Sequence, residues 1–131
     1  MAIQGTYIFD KIEGETIDEL YERKIETAYY MIDNIHLASY IGIGDGTVLN
    51  VNVSIFKNKD DGDKRDFNVD TLLANENFLF EIEKDINVGK VWDFCYLKIK
   101  DELKINMELK LVQNEETDDL LDKYTITLED V

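Results

Sequence analysis

The clearest pattern along this chain is an alternation of apolar and polar positions. It runs through Ile35, Leu37, Ser39, Ile41 and Ile43, with Asn34, His36, Ala38, Tyr40 and Gly42 between them. It resumes after Gly44-Asp45-Gly46-Thr47 in Leu49, Val51, Val53 and Ile55, spaced by Asn50, Asn52 and Ser54. Two period-two runs around Asp-Gly predict a β-hairpin, because Asp-Gly supplies the positive φ that a tight turn needs. One face is apolar and the other carries Asn and Ser, so the sheet is expected to be buried on one side only. The same spacing predicts a first strand over Thr6 to Ile12, closed by Gly14, and another through Leu103, Ile105, Met107, Leu109 and Leu111. Tyr124, Ile126 and Leu128 predict a final strand. Phe78 to Ile82 reads as a strand preceded by a short helix through Leu72 and Leu73, capped by Asn68 or Asp70.

A different period governs Glu15 to about Ile32. Thr16-Ile17-Asp18-Glu19 spells a capping box, and Ile17, Leu20, Tyr21, Ala28 and Ile32 share one helical face. Ala28 to Ile32 is also good strand material, so the helix has a second reading in which it stops near Glu26 and hands over to a strand. Val88 to Leu103 carries both signals. Val88, Val91, Trp92, Cys95, Ile99 and Leu103 form a helical stripe, which is the reading adopted, while Cys95, Leu97 and Ile99 also alternate with Phe94, Tyr96 and Lys98. The expected fold is α+β: an antiparallel β-sheet of five to seven strands, as a sandwich or partly open barrel, with one to three helices.

The chain has 131 residues and a net charge of −15, which predict a single domain over residues 1–131 with an acidic surface connection at 113–123. A hydrophobic content of 44% is too high for a disordered chain. The acid excess argues against direct nucleic-acid binding, which needs Lys and Arg against phosphates, and against anionic membrane surfaces. No apolar run reaches the ~20 residues that span a bilayer, and Met1 to Tyr7 lacks a secretory pattern, so cytoplasmic synthesis is expected.

Candidate chemistry is sparse. Cys95 is the one cysteine and His36 the one histidine, too few for a structural zinc site. Cys95, among Trp92, Phe94, Tyr96 and Leu97, reads as a small buried hydrophobe, and His36 as a solvated member of a polar strand face. Gly42-Ile43-Gly44-Asp45-Gly46 has the wrong glycine spacing for a dinucleotide loop, and a strand follows it where a helix is required. Asn58 to Asp63 resembles a calcium loop, yet with Gly62 at position 6 the first and twelfth ligands would be Lys57 and Asn68. Lys57 to Asp66 therefore reads as a charged loop. No nucleophile elbow, zinc-helix or P-loop spelling is present, so no catalytic residue, metal site or cofactor is expected and the chain is read as a non-enzyme.

What the sequence does offer is acidic surface beside aromatics. Glu15, Asp18, Glu19, Tyr21, Glu22 and Tyr29 form one candidate interface, and Asp60, Asp61 and Asp63 extend it. Four further spellings carry a resemblance. Gly5-Thr6-Tyr7-Ile8-Phe9, Ala28-Tyr29-Tyr30-Met31-Ile32-Asp33, Val51-Asn52-Val53-Ser54-Ile55-Phe56-Lys57 and Trp92-Asp93-Phe94-Cys95-Tyr96-Leu97-Lys98 are similar to segments of small β-rich proteins of tailed phages and prophages of low-GC bacteria. The resemblance covers most of residues 5–100, with 13–27 as an insertion and an extension after Leu103. It implies a structural or assembly protein of a tail, baseplate or head accessory, incorporated in a virion and acting through self-association or another protein partner. The charge supports an alternative: an acidic inhibitor, either a toxin immunity protein or a phage counter-defence protein, that binds a basic protein. A small-molecule binder or enzyme with a barrel-like cavity is the third class, and it requires a pocket of about 300 Å³ or more.

Overall fold

The computed structural model describes residues 2–39, 47–65, 70–82, 88–112 and 124–131. Five strands and three α-helices follow one another as β1 (Ile3–Tyr7), α1 (Ile17–Glu22), β2 (Ile25–Ser39), β3 (Thr47–Phe56), α2 (Lys59–Asp63), β4 (Leu72–Ile82), a 3-10 turn (Val88–Lys90), α3 (Val91–Val112) and β5 (Leu128–Asp130). The strands form one open antiparallel sheet in the order β4-β3-β2-β1-β5. The α+β class and the antiparallel sheet are as the sequence predicts, and the described strands make a single open layer.

The hairpin is the best-anticipated feature. β2 and β3 pair from Tyr29↔Phe56 to Ser39↔Thr47, with Ile35 opposite Val51 and Asn34 opposite Asn52, as the two periodicities require. Its predicted turn at Gly44-Asp45-Gly46, together with Ile41 and Ile43, lies outside the described residues, as do Asn68 and the acidic connection at 113–123. One residue, Asp33, interrupts the register between Ile32 and Asn34. Such a bulge turns a strand locally. Here the Ile32 N–H donates to the Tyr96 hydroxyl of α3 at 3.2 Å, so the irregularity becomes an attachment point for the helix.

Thr16 caps α1 as predicted, with the Glu19 amide donating to Thr16 Oγ1 at 3.1 Å and the Glu19 carboxylate reaching back to the Thr16 amide at 3.3 Å. The helix ends at Glu22, well short of Ile32. From Ile25 onward the backbone is claimed by two ladders: β1 pairs through Tyr7↔Ile25 and Ile3↔Tyr30, and β3 takes the other side. Burial of alternate residues on both sheet faces outweighs the helical spacing of Ala28 and Ile32. β1 is also displaced toward the N-terminus, ending at Tyr7 rather than Ile12, and the last strand starts at Leu128 rather than Tyr124. Leu72 and Leu73 begin β4 and are not helical. The charged segment after Lys57 contains α2, whose Asn58 side chain accepts the Asp61 amide at 2.9 Å.

The largest departure is at Leu103 to Leu111, which is not a strand. It is the second half of α3, a single 22-residue helix. Cys95, Ile99, Leu103, Met107 and Leu111 fall four apart and are all buried against the sheet. Leu97, Asp101, Ile105 and Leu109 form a second row, displaced by two residues, exposed along its length and apolar except at Asp101. Two rows of four-residue spacing, offset by two, reproduce the period of a strand.

α3 covers the face carrying Ile3, Tyr30 and Ile55, and Leu20 of α1 joins the same core. The opposite face is split. One end holds a small cluster of Ala2, Tyr29 and Phe56 under α2; the other carries Asn34, Asn52, Asn75 and Asn77. Gly62 of α2 lies against Tyr29 so closely that an added Cβ would sit 2.3 Å from its ring. Gly62→Ala normally stabilises a helix by about 0.5–1 kcal/mol. Here the sign should reverse, with a net loss of about 1–3 kcal/mol from overpacking. Urea unfolding of the variant checks this.

Candidate functional site

The acidic residues picked out by the sequence are placed by α1 and α2, and most have internal work to do. Both Glu15 oxygens face Arg23, at 3.0 Å from Nε and 3.1 Å from Nη2, and this hydrogen-bonded pairing holds the Glu15 carboxyl below the usual carboxylate range. Asp18 accepts from the Tyr124 hydroxyl. Glu19 is the capping residue described above. The Tyr21 hydroxyl donates to the Thr125 carbonyl at 2.9 Å and accepts the Thr125 amide at 3.0 Å, which fastens the segment before β5 to α1. Glu22, Asp60 and Asp63 are exposed and Asp61 is half-buried.

Tyr29 is buried under Gly62 and is a core residue, not an exposed anchor. α1 packs beside α3, whereas α2 lies on the opposite face of the sheet over Tyr29 and Phe56. The structure therefore does not bring Glu15, Asp18, Glu19, Tyr21 and Glu22 together with Asp60, Asp61 and Asp63.

The Cys95 and His36 readings also separate cleanly. Cys95 lies within the core between α3 and the sheet, and His36 is exposed on the outer row opposite Asn50. The sheet stands between them, so they form no nucleophile–base pair. Burial pushes the Cys95 thiol up to about 11, which leaves it protonated and inert at neutral pH. Burial raises the Tyr30 hydroxyl furthest, and desolvation also raises Tyr7, Tyr29 and Tyr96. Each of these groups is neutral when protonated, so their stabilising contribution is whole below the ordinary values of 9.0 for the thiol and 10.0 for tyrosine. It is lost as pH rises toward the folded-state values. The urea midpoint should hold steady up to about pH 8.5 and fall steadily above it, and iodoacetamide at pH 8 should label Cys95 only after unfolding.

Among the described residues two depressions stand out. One of about 390 Å³ lies at the β1–β5 edge among Gln4, Thr6, Tyr21, Glu26, Thr127 and Glu129. The other, about 240 Å³, lies on the outer sheet face among Asp33, Asn34, Asn52, Asn75, Glu76 and Asn77. In the second, Asn52 donates to the Asn34 carboxamide and Ser54 Oγ bridges Asp33 and Asn75. Neither depression contains a histidine, a cysteine or a lysine. Among the described residues no group of three or more His, Cys, Asp or Glu side chains converges as a metal site, and no helix is long and apolar enough to cross a membrane.

Comparisons with protein families, curated proteins and solved structures return no match for this chain. Its surfaces must therefore speak for themselves.

The surface that sequence reasoning missed is the outer side of α3. Leu97, Ile105 and Leu109 are 57%, 49% and 64% exposed. Phe94 extends the row half-buried, with the Lys98 ammonium 5.8 Å from its ring centroid. Trp92 at the start of the helix is exposed as well. Scattered exposed leucines are ordinary; a row along one helix is the form that a contact surface takes where there is one. The charges of α3 also balance: Lys98, Lys100, Lys104 and Lys110 stand against Asp93, Asp101, Glu102 and Glu108. The whole −15 thus belongs to the remainder of the chain. The signal that could have found this surface was the length of the apolar spacing from Val91 to Leu111, which is too long for an ordinary strand followed by a break.

Proposed function

We propose that this protein is a non-enzymatic structural or assembly protein encoded by a phage or prophage, working through protein–protein contacts in a tail, baseplate or head-accessory position. The observation that carries the reading is the second apolar row of α3, exposed on a helix whose first row is already spent on the core. A partner that is itself apolar and near neutral fits it, because that row sits on a helix whose charges balance. The resemblance of four segments to small phage proteins supports the setting, and the overall charge disfavours nucleic acid or an anionic membrane as direct partner. The acidic-inhibitor reading gains no support from the geometry: its candidate acids are divided between two faces, and Glu15, Asp18 and Glu19 are engaged internally.

The test is quantitative mass spectrometry of purified particles from the phage that encodes the chain. A fixed number of copies per particle is expected. An Ile105→Asp, Leu109→Asp double variant should remain folded, since both side chains are exposed, yet be largely lost from the particles. Particles that contain no copy of the wild-type chain would overturn the proposal.

A further inference from the structure

The sheet ends on one side in β5, only three residues long, and on the other in β4, an edge strand of eleven residues. Short edge strands protect a sheet from unwanted pairing; long ones present a row of free amides and carbonyls that another strand can take up. Among the described residues no strand pairs with the outer side of β4. Lys, Arg and Pro, the residues that commonly block such an edge, are absent from Leu72–Ile82, whose charges are Glu76 and Glu81.

The arrangement of β4 favours one occupant. Its midpoint is Asn77, and Asn77 is also the end of the row Asn34–Asn52–Asn77 across the outer face. We infer that β4 pairs antiparallel with β4 of a second copy about a two-fold axis through Asn77, joining two five-stranded sheets into one of ten strands. In that register Glu76 faces Phe78 of the second copy and Asn75 faces Leu79, while Glu81 lies toward the irregular start of the second copy's β4, so no carboxylate opposes another. Residues of like parity pair, so both copies keep α3 on the same face of the joined sheet. The asparagine row runs on unbroken into the second copy, where carboxamides stack favourably along a ladder. The symmetry is isologous and closes at two copies. This deepens the assembly reading by naming the partner at a surface separate from the outer row of α3, and it rests on that reading only for its purpose.

The purified full chain should sediment as a species of twice the chain mass at micromolar concentration. Two bodies of charge −15 repel, so added salt should tighten the dimer, whereas contact with a basic protein would loosen. Asn77→Lys, which sets two ammonium groups opposite each other at the axis, should weaken dimerisation about tenfold with little change in thermal midpoint, because the site is exposed. Asn77→Cys should cross-link readily under mild oxidation and Leu79→Cys should not, since only the residue on the axis meets itself. A chain that stays monomeric at all concentrations and salt levels overturns the inference and leaves the particle test untouched. So does a dimer that cross-links through position 79. A dimer dissolved by Ile105→Asp with Leu109→Asp but indifferent to Asn77→Lys would place the self-contact on α3 and remove β4 from it, while the assembly reading stood.

Discussion

Leu103→Ala is expected to destabilise the protein by about 2–5 kcal/mol, while Leu109→Ala, six residues on, should change stability by less than about 0.5 kcal/mol. The two leucines occupy the same side of the apparent strand pattern from Leu103 to Leu111. In α3 they part company: Leu103 is 4% exposed and wedged among Ile99, Met107 and the sheet, whereas Leu109 is 64% exposed. Truncating the first leaves a void in the main core that rigid neighbours close only in part, so the loss exceeds the transfer free energy of the missing methyl groups. Truncating the second removes surface that water already reaches. Urea denaturation of both variants decides the matter. Equal losses would mean that both side chains share one buried face, and α3 would be wrong in its second half.

Gly5→Ala should be comparably costly, at about 3 kcal/mol from overpacking together with backbone strain. Gly5 lies in the middle of β1 with φ +156°, and a Cβ there would meet the Thr127 carbonyl oxygen at 1.9 Å. That neighbour is backbone and cannot rotate away. The contact exists because the chain before β5 passes close to β1: the Thr6 amide donates to the Thr127 carbonyl at 2.9 Å, and the Thr127 amide donates to Thr6 Oγ1 at 3.1 Å. The cheapest relief is for residues 124–131 to lift off. The variant should therefore lose stability and also become cleavable by carboxypeptidase under native conditions. A variant of unchanged urea midpoint with a protected C-terminus would show that β5 does not pair as described.

These two sites also mark what the sequence could and could not reveal. The hairpin of β2 and β3 was legible because its apolar parity has one buried face, so period and burial coincide. The α1 cap was legible because it is local: Thr16 and Glu19 satisfy each other within one turn. The length of α1 was not, since Ala28 and Ile32 suit a helix and only the ladders to β1 and β3 decide against it. α3 was half legible. Its first half showed the stripe, and its second half hid a stripe inside an alternation, because both rows are apolar and composition does not say which one a sheet will cover. The acidic candidates were visible as residue types, but their engagements were not. Glu15 meets Arg23 across the length of α1, Asp18 meets Tyr124 more than a hundred positions away, and Tyr29 is buried by a glycine of α2. Charge counts find acids; only packing shows which of them are free to meet a partner.

If the outer row of α3 is a contact surface, assembly into a particle must bury it. Hydroxyl-radical footprinting of Leu97, Ile105 and Leu109, in the free chain and in purified particles, tests it at those side chains. All three should be strongly oxidised in the free chain and lose most of that labelling in particles, with exposed Ile12 changing less. Equal oxidation of the row in both states would contradict it.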